Sequence, residues 1–295
     1  MPGAFSADKA ENDQRWDQLL DALRDKVVVP FLGAAASYPH LPTGAKLAES
    51  LAGRVNYPMA DRWDLARVAQ YAAIMFEPAW VKRWVRDELT KVTPPALQQG
   101  GAAADEPHRA LAEFPLPLFV TTNYDEFMFE ALKARGDRNP KLDLCRWNPL
   151  LKYLPSELAE PKFQMHPATP VVYHLHGQLA KPESIVLTQD DYLQFGEEMI
   201  KRGDELIPPV VAQSLRLASL LFVGYSLTDW NFRLLLRSLK VYMQADNYLV
   251  IKPPEGPNAK AERRYLEEYY AALRIRVYWG LAQEFAAELM QRRRV

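Results

Sequence analysis

Cysteine is nearly absent from the chain: Cys145 is the only one in 295 residues. A single thiol excludes an intramolecular disulfide and fits a reducing compartment. A charge excess of either sign is missing too, because 36 basic and 37 acidic residues leave a net charge of −1. Nucleic-acid binders carry a basic excess to meet phosphates, so intrinsic nucleic-acid binding is not expected. The short run Arg292-Arg293-Arg294 reads as a solvated helix end. No apolar run reaches the ~18 residues of a membrane span. The first residues lack the basic-then-apolar pattern of a secretion signal. A cytoplasmic protein without a membrane role is the expectation. Internal repeats and long low-complexity tracts are absent as well.

What is present is ordinary globular material, 48% hydrophobic and 25% charged, enough for a core without metals or disulfides. Residues 11–25 read as a helix with Trp16, Leu19, Leu20 and Leu23 on one face. Strands are expected at 27–33, 117–123, 170–177, 184–188, 219–226, 247–252 and 273–279. Helices are expected at 124–135, 188–202, 208–217, 228–243, 258–272 and 281–291. This alternation indicates βαβ units, and fully apolar strands indicate a parallel sheet buried on both faces. The fold class is therefore α/β: a Rossmann-like parallel sheet with helices on both faces and a helical insertion after the first strand. The chain reads as one domain over 1–295, with the helical insertion at about 45–113 and an irregular, proline-bearing one at about 136–169.

Four apolar runs end in small or polar clusters. They are Ala34-Ala35-Ala36-Ser37 after VVVPFLG, Thr121-Thr122-Asn123-Tyr124-Asp125, His174-Leu175-His176-Gly177, and Gly224-Tyr225-Ser226-Leu227-Thr228-Asp229. In a parallel sheet all strand C-termini lie on one side, where ligands bind, so the clusters should converge on one site. The first suggests the phosphate end, since a tight turn before a helix exposes backbone N–H groups; a plain strand–helix turn reads the same way.

In this order the clusters resemble the sirtuin superfamily, and within it the bacterial sirtuin-like branch known for NAD⁺-degrading antiphage proteins. FLGAAAS (31–37) looks like the family's Gly-Ala-Gly-x-Ser loop, and TTNYD (121–125) like its Thr-x-Asn-x-Asp motif. HLHG (174–177) carries its His-Gly, and GYSLTDWN (224–231) looks like its Gly-x-Ser-Leu segment. The resemblance spans residues 26 to about 280. Two departures stand out. Ala35 replaces the second loop glycine, which lets a backbone approach the pyrophosphate. The four-cysteine zinc module of deacylase sirtuins cannot form from one cysteine, so no metal is expected and the deacylase activity is disfavoured.

The resemblance implies NAD⁺ as substrate, cleaved at the nicotinamide–ribose bond. Nicotinamide leaves as a neutral group, and the ribose develops oxocarbenium character. Asn123, with a donor and acceptors, suits holding a water or ribose hydroxyl; it also suits capping the helix expected near Tyr124. His176 is assigned as general base by the His-Gly match, with a pKa near ~6.5 suited to proton uptake. His174, on the same strand face by alternation, is a helper or a buried core histidine. Gly33, Ala34, Ala35, Ser37, Thr122, Asp125, Gly224, Ser226, Asp229 and Asn231 are the expected NAD⁺ contacts. Asp125 reads equally as a first-turn helix acid, Ser37 also as a cap of its turn, and Asp229 first as an N-cap pair with Thr228. The aromatic segment 278–281 is expected to flank the adenine. A hydrolase acting in antiphage defence leads. A non-catalytic NAD⁺ or ADP-ribose-binding module and an ADP-ribosyltransferase are the alternatives. A homo-oligomer or a partner protein that supplies sensing is expected, through the helical insertion; the aromatics Trp63, Tyr71, Phe76, Trp80 and Trp84 lie there, and core packing is their default reading.

Overall fold

The computed structural model describes residues 3–293 except 99–102, 104, 161, 226–232, 234–236 and 238–244. The chain runs α1 (Lys9–Arg24), β1 (Val28–Leu32), α2 (Gly44–Arg54), α3 (Leu65–Met75), α4 (Pro78–Leu89), α5 (Pro107–Ala112) and β2 (Leu118–Thr121). It continues α6 (Phe127–Ala134), β3 (Lys141–Leu144), β4 (Val171–His174), α7 (Gln189–Leu206), α8 (Pro209–Leu217) and β5 (Ser219–Val223). It ends β6 (Asn247–Ile251), α9 (Ala259–Ala271), β7 (Ile275–Trp279) and α10 (Ala282–Arg293). The helix expected at 228–243 falls largely outside the described residues.

The seven strands form one parallel sheet in the order β3-β4-β2-β1-β5-β6-β7. Side chains alternate across a strand, so each strand feeds two cores. Phe31, Val120, Tyr173, Phe222 and Leu249 point into the core covered by α7, α8 and α9. Leu32, Phe119, Val172, Val223 and Val250 point into the one covered by α1, α5, α6 and α10. The buried face of α1 is Trp16, Leu19, Leu20 and Leu23, as its periodicity requires. Cys145 is fully buried just past β3, where burial pushes its thiol pKa up to about 12.

A third core belongs to a helical cap. Helices α2, α3 and α4 bury Leu47, Leu51, Val68, Ala72, Val81 and Val85 among themselves and against Phe127, Leu179, Ile185 and Leu187. The segment expected to be helical over 45–113 is thus two things, because α5 leaves the cap and packs into the sheet-covering core.

Two strand expectations are corrected. Residues 184–188 join no ladder; they run from a short 3-10 turn to Thr188, the N-cap of α7. The seventh strand is instead β3, inside the stretch expected to be irregular, paired with β4 as the sheet edge. The aromatic segment at the end of β7 is also corrected. Tyr278 and Trp279 are buried in the sheet cores, with Tyr278 packed edge-on against Phe5, Trp16 and Phe285. They are core, not an adenine wall.

Candidate functional site

The strand order reverses at β1: β2 lies on one side, and β5 returns on the other. Ligands of open α/β sheets bind outside the strand C-termini at such a switch point. Gly33 and Gly224 face each other there. A Cβ on Gly224 would collide with the Ala36 backbone nitrogen, and its φ of +87° favours glycine independently. A Cβ on Gly33 would stand 2.8 Å from the Gly224 oxygen and 2.9 Å from the Tyr225 ring.

The first loop folds into a single 3-10 turn over Ala34–Ala36. The N–H groups of Gly33 and Ala35 donate to Val223 and Gly224 oxygens at 2.8 and 2.9 Å, and those of Ala36 and Ser37 donate within the turn. Four N–H groups that a phosphate loop would offer to an anion are therefore engaged by the protein itself. Tyr225 lies over Gly33, and its hydroxyl donates to the Leu32 oxygen at 3.2 Å and shares a hydrogen bond with Thr122 Oγ1 at 3.1 Å. Sequence patterning carries no signal for either feature, since both depend on how close two loops come. Ala34 and Ala35 remain exposed.

The second loop crosses beneath the first. Asn123 Nδ2 donates to the Gly33 oxygen and to Ser37 Oγ, both at 3.1 Å. Ser37 Oγ in turn donates to Asp125 Oδ2 at 3.1 Å, while Asp125 Oδ1 accepts the Phe127 N–H at 3.0 Å. Asp125, just before the N-cap Glu126, thus both accepts the first N–H of α6 and anchors Ser37. Asn123 caps no helix, so that alternative for it falls. Asn123, Asp125 and Ser37 are all buried.

The third cluster divides. β4 ends at His174, and its alternation does not carry through the turn to His176. Gly177 makes that turn at φ +85°, so close to Ser184 that a side chain has no room. His174 is wholly buried with Nδ1 3.0 Å from the Asn123 oxygen. His176 sits edge-on to Phe195 (4.8 Å) and Tyr192 (5.6 Å) of α7. Burial alone lowers its pKa from 6.5 to about 3. The expectation of a histidine titrating near neutrality is corrected: His176 is a neutral imidazole at any physiological pH. Its loop is held by Val186, whose N–H donates to the His176 oxygen at 3.0 Å and whose oxygen accepts from Tyr124 Oη at 2.6 Å.

The structure therefore brings together Gly33, Ala34, Ala35, Ser37, Thr122, Asn123, Asp125, His174 and Gly224, with His176 beside them on the same loop edge. Ser226, Asp229 and Asn231 lie outside the described residues. A buried pair close by had no reading from sequence. Glu106 Oε1 meets His108 Nδ1 at 2.5 Å at the start of α5. Burial opposes charge on His108, but the Glu106 carboxylate, aided by Asp125, outweighs it and raises the pKa. Among the described residues no three His, Cys, Asp or Glu side chains gather as a metal site, and no helix is long and apolar enough to cross a membrane.

Comparison with known proteins places these loops in context. The family model of the SIR2-like domain matches residues 117–273. A protein named NAD(+) hydrolase ThsA from Bacillus cereus (strain MSX-D12) is 27% identical over 216 residues, 72% of this chain and 40% of that protein. One of the same name from Cytobacillus dafuensis is 29% identical over 230 residues, 78% of this chain and 41% of that protein. The chain spans about two fifths of the length of these curated relatives. A solved structure titled "Structural Basis for the Mechanism and Regulation of Sir2 Enzymes" aligns over 95% of this chain and 98% of its own, at 13% identity and a TM-score of 0.42. That match is too loose to bear on the site.

Proposed function

The chain belongs to the SIR2-like domain family, and from that premise we propose that it hydrolyses NAD⁺ to nicotinamide and ADP-ribose. The observation that carries this reading is the state of Asn123 at the switch point. Its N–H donates to Thr121 Oγ1 at 2.9 Å, its carbonyl accepts from His174, and Nδ2 serves Gly33 and Ser37. Only Oδ1 is left without a partner among these bonds, an acceptor presented by an otherwise immobilised side chain. Such an acceptor orients a water or a ribose hydroxyl, and orientation is worth large rate factors.

In the reaction a water oxygen bonds to the ribose anomeric carbon, while the carbon–nitrogen bond breaks with its electrons going to neutral nicotinamide. The water proton passes to solvent. His176 is always unprotonated, so its lone pair can accept the hydrogen bond of the attacking water; with a pKa of about 3 it does not store the proton. Gly33, Ala34, Ala35, Ser37, Thr122 and Gly224 would line the pyrophosphate and ribose. For the pyrophosphate to reach them, Tyr225 must leave Gly33.

That same packing favours a second reading, a non-catalytic NAD⁺ or ADP-ribose-binding module. Purified protein incubated with NAD⁺, alone and with the products of neighbouring genes, separates the two. Release of free nicotinamide supports hydrolysis; binding with no release under any condition supports the module. The reading extends to a cytoplasmic antiphage effector restrained by assembly. Trp63, Ile74, Met75 and Phe76 stand exposed on the cap, with Phe76 stacked on Trp80 at 5.0 Å. An apolar patch of this kind suits a subunit interface. A strictly monomeric, fully active protein at low concentration would count against it.

A further inference from the structure

His174 occupies the last position of β4, in register with Thr121 of β2, and is completely buried. Its Nδ1 lies 3.0 Å from the Asn123 carbonyl oxygen. A carbonyl oxygen can only accept, so the ring donates and the proton sits on Nδ1. The other nitrogen, Nε2, is buried with no partner in hydrogen-bonding geometry, although the Gly177 backbone, like the Asn123 carbonyl, favours a proton on the ring. An unpartnered buried polar atom costs free energy and calls for a reason. If the position needed only a ring to fill space, phenylalanine would fill it with no polar atom to strand. What histidine adds is the Nδ1–H.

The bond falls in a loop, where the Asn123 N–H is held by Thr121 Oγ1 and the Tyr124 carbonyl by the Leu179 N–H. Asn123 lies between the end of β2 and the start of α6, so neither a ladder nor a helix fixes the peptide joining it to Tyr124. A shift of that carbonyl would move the Asn123 backbone, and with it the Cβ from which the side chain reaches Gly33 and Ser37. We infer that His174 is a positioning residue: its Nδ1–H locks the Asn123 carbonyl and so aims Asn123 Oδ1 at the reacting ribose. The inference rests on the role proposed for Asn123.

Two substitutions separate positioning from packing. His174→Phe keeps the ring and removes the donor. His174→Asn sets an amide nitrogen near the place of Nδ1 but leaves a cavity. Positioning predicts that His174→Phe melts near the wild-type temperature while kcat for nicotinamide release falls ~10-fold or more, with KM within ~3-fold. His174→Asn should melt lower and yet recover most of that kcat. A packing role predicts the reverse order, an active His174→Phe and a poorer His174→Asn, and that result overturns the inference. A second measurement needs neither turnover nor a variant. Imidazole ¹⁵N shifts of the full chain should show the Nδ1–H tautomer of His174 through neutral pH. An Nε2–H tautomer overturns the inference. If the wild type releases no nicotinamide, hydrolysis fails as a function and the role of Asn123 with it, while the tautomer still decides whether His174 donates to the Asn123 carbonyl.

Discussion

Asn123 shows how much of a site can be set by which atom of a side chain faces which neighbour. Its amide orientation is forced by the Gly33 oxygen, which only accepts, so Nδ2 points there and Oδ1 is free to act. Asn123→Ala should reduce nicotinamide release ~10²-fold with NAD⁺ affinity within a few fold, the scale expected for lost orientation. Asn123→Asp is the sharper experiment. It keeps the shape but turns a carboxylate oxygen against the Gly33 carbonyl, and should destabilise the fold by about 1–3 kcal/mol in thermal or denaturant unfolding. Ala35 offers a milder test. Its backbone is an ordinary 3-10 turn residue, so glycine is not needed there for the fold. Ala35→Gly should preserve or tighten NAD⁺ binding, measured calorimetrically, because only an exposed methyl beside the proposed pyrophosphate site disappears. His176 gives a pH signature. Its folded pKa of about 3 lies below the ordinary 6.5, so in between the unfolded chain binds a proton that the folded one does not. The contribution of His176 to stability is complete above about pH 6.5 and falls as pH drops, by about 2 kcal/mol on reaching pH 5. His176→Phe should lose less stability than wild type over that interval; equal losses would show that His176 titrates normally.

At the scale of elements, one polar tie between the cap and the helices over the sheet is a largely buried ion pair. Lys82 of α4 meets Asp191 of α7 at 3.0 Å, and the other oxygen of Asp191 accepts the N–H groups of Leu187 and Thr188, both at 3.0 Å. Both side chains are largely buried, so removing one partner strands the other. Lys82→Met should cost about 3 kcal/mol in unfolding experiments and loosen the loop behind His176. A cost below 0.5 kcal/mol would mean that the pair behaves as an exposed one. The segment Asp191 holds is also where sequence reading failed. Ser184–Thr188 is apolar and β-branched, which predicts a strand, but Ile185 and Leu187 are buried by the cap and Val186 by the core under α7, and the bonds of Val186 go to His176 and Tyr124 rather than to a ladder. Lys141–Leu144 failed in the opposite sense. As an edge strand it keeps Lys141 and Leu142 only half-buried, so it shows no continuous apolar run. The other six strands were legible because they are buried on both faces. The convergence of the four loops was legible for a related reason, since parallel strands put their ends on one side. The engaged N–H groups of the first loop and Tyr225 over Gly33 were not, because contacts between residues two hundred positions apart leave no local pattern.

On the scale of the whole molecule, the two cores flanking the sheet and the third inside the cap leave the lone thiol no route to solvent. Cys145 is fully buried, and its pKa of about 12 keeps it protonated, the unreactive form. Folded protein should therefore titrate close to zero thiols with a chromogenic disulfide reagent, and one after denaturation. Full reaction under native conditions would show that the sheet edge at β3 opens readily. The same concealment makes the native chain a chemical blank for labelling. A cysteine placed at exposed Ala35 would carry the sole attachment point for a fluorophore or spin probe. The departure of Tyr225 from Gly33 that the proposed NAD⁺ binding requires could then be tested in real time, at the crevice itself, without first stripping the protein of competing sulfur.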